Sequence, residues 1–540
     1  MIEIDRRSMM LLGVAAGAAS LLPNSSLAQN KVGSAANPVT FWNDVSLEMV
    51  ALDHTVAVAD ARAPGPCATA RALGLIHAVI ADAVTFAYPT AGYAPKFGSN
   101  PGANVKDSAA FVGGAAAGIM GFIYNTPAHA FVIGVRQREF MAGLSGEYDQ
   151  WKIGLMFGTA DDIQERWKAE EIRRRLLNSR AYQPDPGQHT LDPFNPDQGF
   201  YGARWGGMAP LILPNDDAEK DKLGPGAPPG WNAATGEITI PMDQFDDVKM
   251  RGQFNGTGAT DDQQVGLYWA YDGARLLGTP PRLYNLIVRN IADQAQLGIP
   301  ELARLLALCN LAMADAGIVA WKAKYDYKVQ RPVVAIRAVD KTWRPLGAPR
   351  TNPKEFSAVF STKFIATAES LLGAGLSELL LQAPGLSASQ ARQSTFRSPL
   401  FDHQKQSEPV IESEADRVPS GLPYADAAFT PNFPAYPSGH ATFGSACFNV
   451  LKARLKALGQ DDDAVSMNFV SEEVSEGTID NFRNEPRTPW SKGAYSSIDK
   501  MIEDNNESRV WLGVHWQFDA TKGDESGKKI AQTVLAGAYS

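Results

Sequence analysis

The chain has 540 residues, 44% hydrophobic and 20% charged, enough for one large or two medium globular domains. Its net charge of −9 excludes a general nucleic-acid or anionic-membrane surface, so an anion site must gather its cations locally. Cys67, Cys309 and Cys447 are odd in number, far apart and in no CxxC pair, so no disulfide framework is indicated.

Residues 1–28 read as an export signal. Arg6-Arg7 precedes a moderately apolar run, Met9 to Leu22, and Ser26-Leu27-Ala28 follows the small-residue pattern of a cleavage site. The pattern predicts a bacterial protein exported by the twin-arginine route, periplasmic or secreted. The run is too short to span a bilayer. Ala109 to Tyr124, the next apolar run, is short and glycine-rich and reads as a buried core helix. No stable membrane insertion of the mature chain is expected.

Residues 29–235 are expected to hold helices followed by a long connecting segment. Ala68–Tyr88 has an apolar stripe interrupted by Arg71, His77 and Asp82. Asp149–Ser179 reads as one long helix with its charges on one side. Between 181 and 260 Pro, Gly, Asp and Asn dominate, with a short strand expected at "ITIPM", Ile238–Met242. Helices resume from about 262 in "DDQQVGLYWAYDG", "PPRLYNLIVRNIADQAQLG" and "PELARLLALCNLAMADAGIVAWKAKYDY", with prolines at their starts. Residues 345–432 mix loops with one Leu-rich helix, Lys363–Gln382. Ala441–Gly459 reads as a helix ending at glycine. Alternating strands are scarce, so the fold class is mainly α.

Three short segments carry the chemistry. In "KYDYKVQRP", Lys324 and Arg331 stand seven residues apart, nearly two helical turns, which predicts both cationic heads on one side of a helix. In "PSGH", Ser438 and Gly439 offer neutral donors and His440 a proton near neutral pH. In "SRVWLGVHWQFD", Arg509 adds a third cation, and a helical reading puts His515 and Asp519 one turn apart, so that Asp519 orients the ring. Cations and donors arriving from several directions are what a tetrahedral oxyanion needs. The seven histidines are scattered and HExxH is absent, so a zinc site is not indicated. No G-x-S-x-G elbow supports Ser438 as a hydrolase nucleophile.

The order K-x6-RP, PSGH, SR-x5-H-x3-D resembles the superfamily that joins vanadium-dependent haloperoxidases with type 2 phosphatidic-acid phosphatases. "YWAYDG", "LLGTPPRLYNLIVRNIA", "ADAGIVAWK" and "FPAYPSGHATFG" resemble its chloroperoxidase branch, across about residues 265–520. The resemblance implies two packed helical bundles, 29–235 with its connecting segment and 236–540, with the oxyanion site in the C-terminal bundle and 351–430, longer than the family needs, as an insertion. It implies vanadate as cofactor, with His515 as the metal ligand. Lys324, Arg331, Ser438, Gly439 and Arg509 would hold the vanadate oxygens. His440 would be the acid/base, Asp272 the partner of Arg509, and Trp321 and Phe433 the aromatic wall on the halide side. Hydrogen peroxide, chloride or bromide, and small organic acceptors follow as substrates, with phosphate as competitor. Phe433 stands where brominating relatives carry histidine, which favours chloride. Gln330 replaces an aromatic found before the Arg-Pro pair in close relatives, and is expected to change a wall near the site.

The same residues allow an acid phosphatase, with His515 as nucleophile and His440 protonating the leaving alcohol. A non-catalytic oxyanion-binding protein is the third reading.

Overall fold

Asn37 starts the first helix: its side-chain oxygen accepts the Thr40 N–H and Pro38 fills the first turn, giving α1, Pro38–Asp53. The computed structural model describes residues 35–54, 61–102, 105, 108–144, 146–177, 182–190, 200–254, 259–273, 277–347, 351–352, 430–460, 471–474, 479–480, 485–486 and 490–539. The expected export signal, the expected Leu-rich helix and nearly all of the expected insertion lie outside these residues.

α2 (Gly65–Ala87) is buried on nearly every side, packed by α1, α3 (Ala109–Ile123) and α5 (Tyr148–Gly158), while α4 (Pro127–Ala142) rests on α1 and α3. The run from 149 to 179 is not one helix. Ala160 leaves helical geometry and Lys168 takes a left-handed φ of 51°, so α5 is followed by α6 (Asp161–Trp167) and α7 (Ala169–Leu177). The turn swings Ile163 and Trp167 into the core, and that burial outweighs continuation of a solvent-facing helix.

The connecting segment holds α8 (Asp217–Leu223) and α9 (Met242–Arg251). Between them β1 (Trp231–Asn232) pairs antiparallel with β2 (Glu237–Ile238). The strand expected at 238–242 shrinks to Ile238 because Pro241 already caps α9.

The second half comprises α10 (Asp261–Tyr268), α11 (Pro280–Gln294), α12 (Ile299–Tyr327), α13 (Pro332–Val339), α14 (Gly439–Ala457), α15 (Ile498–Trp511) and α16 (Gln517–Gly537). β3 (Thr351–Asn352), β4 (Ile479–Asp480) and β5 (Glu485–Pro486) form a small antiparallel sheet. Buried Asp315 of α12 accepts the N–H groups of Leu211, Ile212 and Leu213 at 2.7, 2.8 and 2.9 Å, which ties the connecting segment to the central helix.

Two stretches, Gly65–Ala87 and Ile299–Val339, are long and apolar enough to cross a membrane, but 89% and 94% of their apolar windows are buried inside the fold. They are its axis. α2 lies along α12, and a Cβ at Gly74 would stand 3.0 Å from Ala314 Cβ, so glycine sets that approach. One continuous apolar core runs from Trp42 and Phe140 through Leu305 and Trp321 to Phe443 and Val534. The three cysteines are buried and unbridged. α14 packs against α12, α15 and α16. The end of α12, the start of α14 and the α15–α16 link thereby meet.

Candidate active site

Lys324 and Arg331 do not share a helix face. α12 stops at Tyr327, with Lys328 left-handed at φ 51°, and Arg331 is the extended residue before Pro332 that starts α13. They converge because the chain turns between them. The three Lys324 Nζ hydrogens meet the carbonyls of Pro434, Ala435 and Pro437, a match for the three donors of an ammonium. Lys324 therefore clamps the approach to Ser438, a role its sequence position did not show. Ser438 is the N-cap of α14 and its Oγ accepts the Ala441 N–H. Gly439 and His440 form the first turn, where backbone N–H groups and the helix dipole favour an anion.

Arg509 lies in the last turn of α15 and bonds Asp272 through both terminal nitrogens, at 2.7 and 3.0 Å. His515 and Asp519 do meet, though not within one helix. His515 precedes α16 and Asp519 is in its first turn. Asp519 Oδ2 accepts both His515 Nδ1–H at 2.9 Å and Trp516 N–H at 2.9 Å. The Asp519 carbonyl also accepts the Ser438 N–H at 2.9 Å, which joins the starts of α14 and α16. With Nδ1 donating, His515 Nε2 holds the lone pair and lies 3.1 Å from Arg331 Nη1. His440 Nε2 donates to the Ala270 carbonyl at 2.6 Å, which leaves its Nδ1 basic.

Asp272, Trp321, Phe433, Gly439, His440, Arg509 and His515 line one cavity, with Pro66, Tyr271, Thr279, Pro280, Pro431 and Phe443. It spans about 440 Å³ including its open mouth, the scale of a small-molecule pocket. Lys324, Arg331 and Ser438 stand behind the wall. Gln330 is not in the wall: its amide donates to the Gln188 carbonyl, so the expected effect on a cavity wall is not found. Tyr271, Thr279 and the prolines were missed as lining residues. "YWAYDG" and "LLGTPPRLYN" contained Tyr271, Thr279 and Pro280, but no spacing marks them.

The electrostatics follow from burial. Desolvation, then the charge of Arg509, holds His440 well below the ordinary histidine value. Desolvation, then Arg331 and Lys324, does the same to His515. Lys324 is lowered by burial and by Arg331, and Arg331 falls to about 9 through burial and the nearby Arg509. Burial lifts Asp519 to about 7, opposed by the Trp516 N–H and by Lys324. Burial also raises Asp272, opposed by Arg509. With both histidines neutral, three buried cations face two carboxylates, and the excess charge is positive. Two buried donors, Arg331 Nη2 and Arg509 Nε, have no protein partner. Uncompensated buried donors on a positive site call for an anion.

The C-terminal half carries a known pattern as well as this geometry. The family profile described as the VCPO second helical-bundle domain (VCPO is vanadium chloroperoxidase) matches residues 304–368 and 413–539. These matched residues make the second half of the chain similar to the vanadium chloroperoxidases. The vanadium chloroperoxidase of Curvularia inaequalis is 27% identical over 90% of this chain and 79% of its own length. The crystal structure of a bacterial vanadium-dependent iodoperoxidase shares the fold, with TM-score 0.54 and 14% identity, over 95% of this chain and 98% of that one. The haloperoxidase profile skips residues 369–412, inside the stretch expected as an insertion.

Vanadate, the group named in these relatives, fits the donor set: two orphaned guanidinium donors, a helix N-terminus and one histidine oriented through Nδ1 by a carboxylate. Among the described residues no cluster of three His, Cys, Asp or Glu could hold a metal ion.

Proposed function

We propose that the chain is a vanadium-dependent haloperoxidase that uses hydrogen peroxide to oxidise chloride or bromide to a hypohalous species. The carrying observation is the pair of orphaned donors, Arg331 Nη2 behind the cavity wall and Arg509 Nε in it, beside the unprotonated His515 Nε2, which accepts from Arg331 Nη1. His515 Nε2 would bind vanadate. Arg331, Arg509, Gly439 N–H and Ser438 would hold its oxygens, and Lys324 would add charge from behind. When bound, vanadate supplies the Lewis acidity that makes peroxide oxygen electrophilic toward halide.

The chain's own residues do the rest. His440 is neutral and its Nε2–H is engaged by Ala270, so Nδ1 would take one proton from entering peroxide and return it to hydroxide, which leaves as water. Asp272 fixes the plane of the Arg509 guanidinium. Trp321 and Phe433, with ring centroids 4.8 Å apart, form an apolar wall that keeps bulk water from the halide. Small organic acceptors would consume the oxidised halogen, phosphate would compete with vanadate, and export by the twin-arginine signal would release the oxidant outside the cytoplasm.

The test assays the purified protein with and without vanadate. One arm follows peroxide-dependent chlorination, bromination and iodination of a dye, and the other follows phosphate-ester hydrolysis. Vanadate-dependent halogenation is expected. Turnover in the ester arm alone would overturn the proposal in favour of a phosphatase.

A further inference from the structure

Thr279 is an N-cap residue that caps nothing. A threonine before a helix ordinarily accepts the N–H of the second or third helical residue. Here Pro280 and Pro281 fill the first two positions of α11 and have no N–H, and the Arg282 N–H goes to the Thr279 carbonyl at 2.9 Å. The hydroxyl is left over. Thr279 is 1% exposed, its Oγ1 has no hydrogen-bond partner in the protein, and it lines the active-site cavity. The other hydroxyl in that wall, Tyr271, is bonded to Glu472 at 2.9 Å. A buried hydroxyl without a partner costs about 1–3 kcal/mol unless a ligand completes it.

The surroundings select the ligand. Pro66, Pro280, Trp321, Pro431, Phe433 and Phe443 make one side of the cavity apolar, while Arg509 and the helix start at Gly439 make the other side positive. A monovalent, weakly basic anion suits that combination. It needs few donors, and the positive edges of the aromatic rings replace part of its hydration. We propose that the Thr279 hydroxyl donates the hydrogen bond that receives the halide and helps set which halide is accepted. This rests on the haloperoxidase reading. Chloride, the most strongly hydrated of chloride, bromide and iodide, depends most on the donor, and iodide least.

The variants are Thr279→Val, which keeps the shape and removes the hydroxyl, and Thr279→Ser, which keeps the hydroxyl. Thr279→Val is expected to raise the chloride KM about tenfold or more, the loss of one hydrogen bond to an ion. The bromide KM should rise less and the iodide KM least, with peroxide KM and vanadate affinity unchanged, and Thr279→Ser should restore the wild-type order. A second readout needs no turnover: bromide soaked into crystals of the vanadate-loaded protein should give an anomalous peak within hydrogen-bond reach of Thr279 Oγ1, absent in Thr279→Val. Unchanged halide KM values in an active Thr279→Val enzyme, or bromide bound elsewhere, would overturn the assignment and leave the haloperoxidase reading intact. Bromide at Thr279 in a protein that oxidises no halide would sink the function and keep the binding site.

Discussion

At the scale of single residues, Asp519 has two tasks. It accepts Trp516 N–H at the start of α16 and His515 Nδ1–H. The second bond fixes the tautomer that leaves Nε2 unprotonated, an acceptor for Arg331 Nη1, and a charged partner makes that nitrogen more basic. Asp519→Asn keeps the size and removes the charge, so vanadate affinity should fall about 10–100-fold while the helix start is retained. Calorimetric titration with vanadate measures this, and an unchanged Kd would reduce Asp519 to a helix cap. The sequence showed the pair by its spacing, but placed it inside a helix. It lies at the α16 start because His515 belongs to the link out of α15. Lys324 shows the opposite failure. Its type and position are legible, yet its three carbonyl partners belong to a segment over 100 residues away, which no local pattern encodes.

At the scale of elements, the helices were legible where one face or the whole surface is apolar, as in α2 and α12, and their ends where proline or a capping side chain marks them. The long run after Asp149 was misread because charge patterning supports a helix on either side of a break, and only the core position of Trp167 demands the turn. Helix contacts were not legible at all. α3 and α5 approach so closely that a Cβ at Gly154 would stand 2.2 Å from the Phe111 carbonyl oxygen, whereas a Cβ at Gly121 meets nothing within 4 Å. Gly154→Ala must push two backbones apart and should destabilise the protein by roughly 1–3 kcal/mol. Gly121→Ala, in the same helix pair, should stabilise by about 0.4–1 kcal/mol by restricting the unfolded chain. Urea unfolding of the two variants checks the contrast, and equal effects would mean the helices can separate freely. Similar glycine contacts seat α16 on α14: a Cβ at Gly523 would stand 2.9 Å from the Ser438 carbonyl oxygen, so helix packing reaches the candidate site.

At the scale of the molecule, burying titratable groups in one continuous core makes stability depend on pH. His77 is held at about 4, chiefly by burial, from an ordinary 6.5. Its neutral ring is satisfied, with the Leu73 carbonyl on Nδ1 and the Asn43 amide on Nε2. Between pH 6.5 and 4 the unfolded chain binds a proton there that the fold refuses, so stability falls as pH falls, by roughly 3 kcal/mol at completion. His77→Gln removes that share and leaves every other titrating group in place. Its urea-unfolding free energy should therefore drop less than that of the wild type between pH 7 and pH 4; equal drops would refute the assignment. Sequence alone determined the helical class, the three segments of the site and the chemistry of their residue types, because periodicity, proline positions and the donor inventory are local properties of the chain. Tertiary structure decided which donors stay free, why Lys324 and Ser438 stand behind the wall, and that Thr279 faces the cavity with an idle hydroxyl. Those outcomes depend on which partners segments 100–300 residues apart offer one another, and hydrogen-bond competition between them exists only once the core has brought them together.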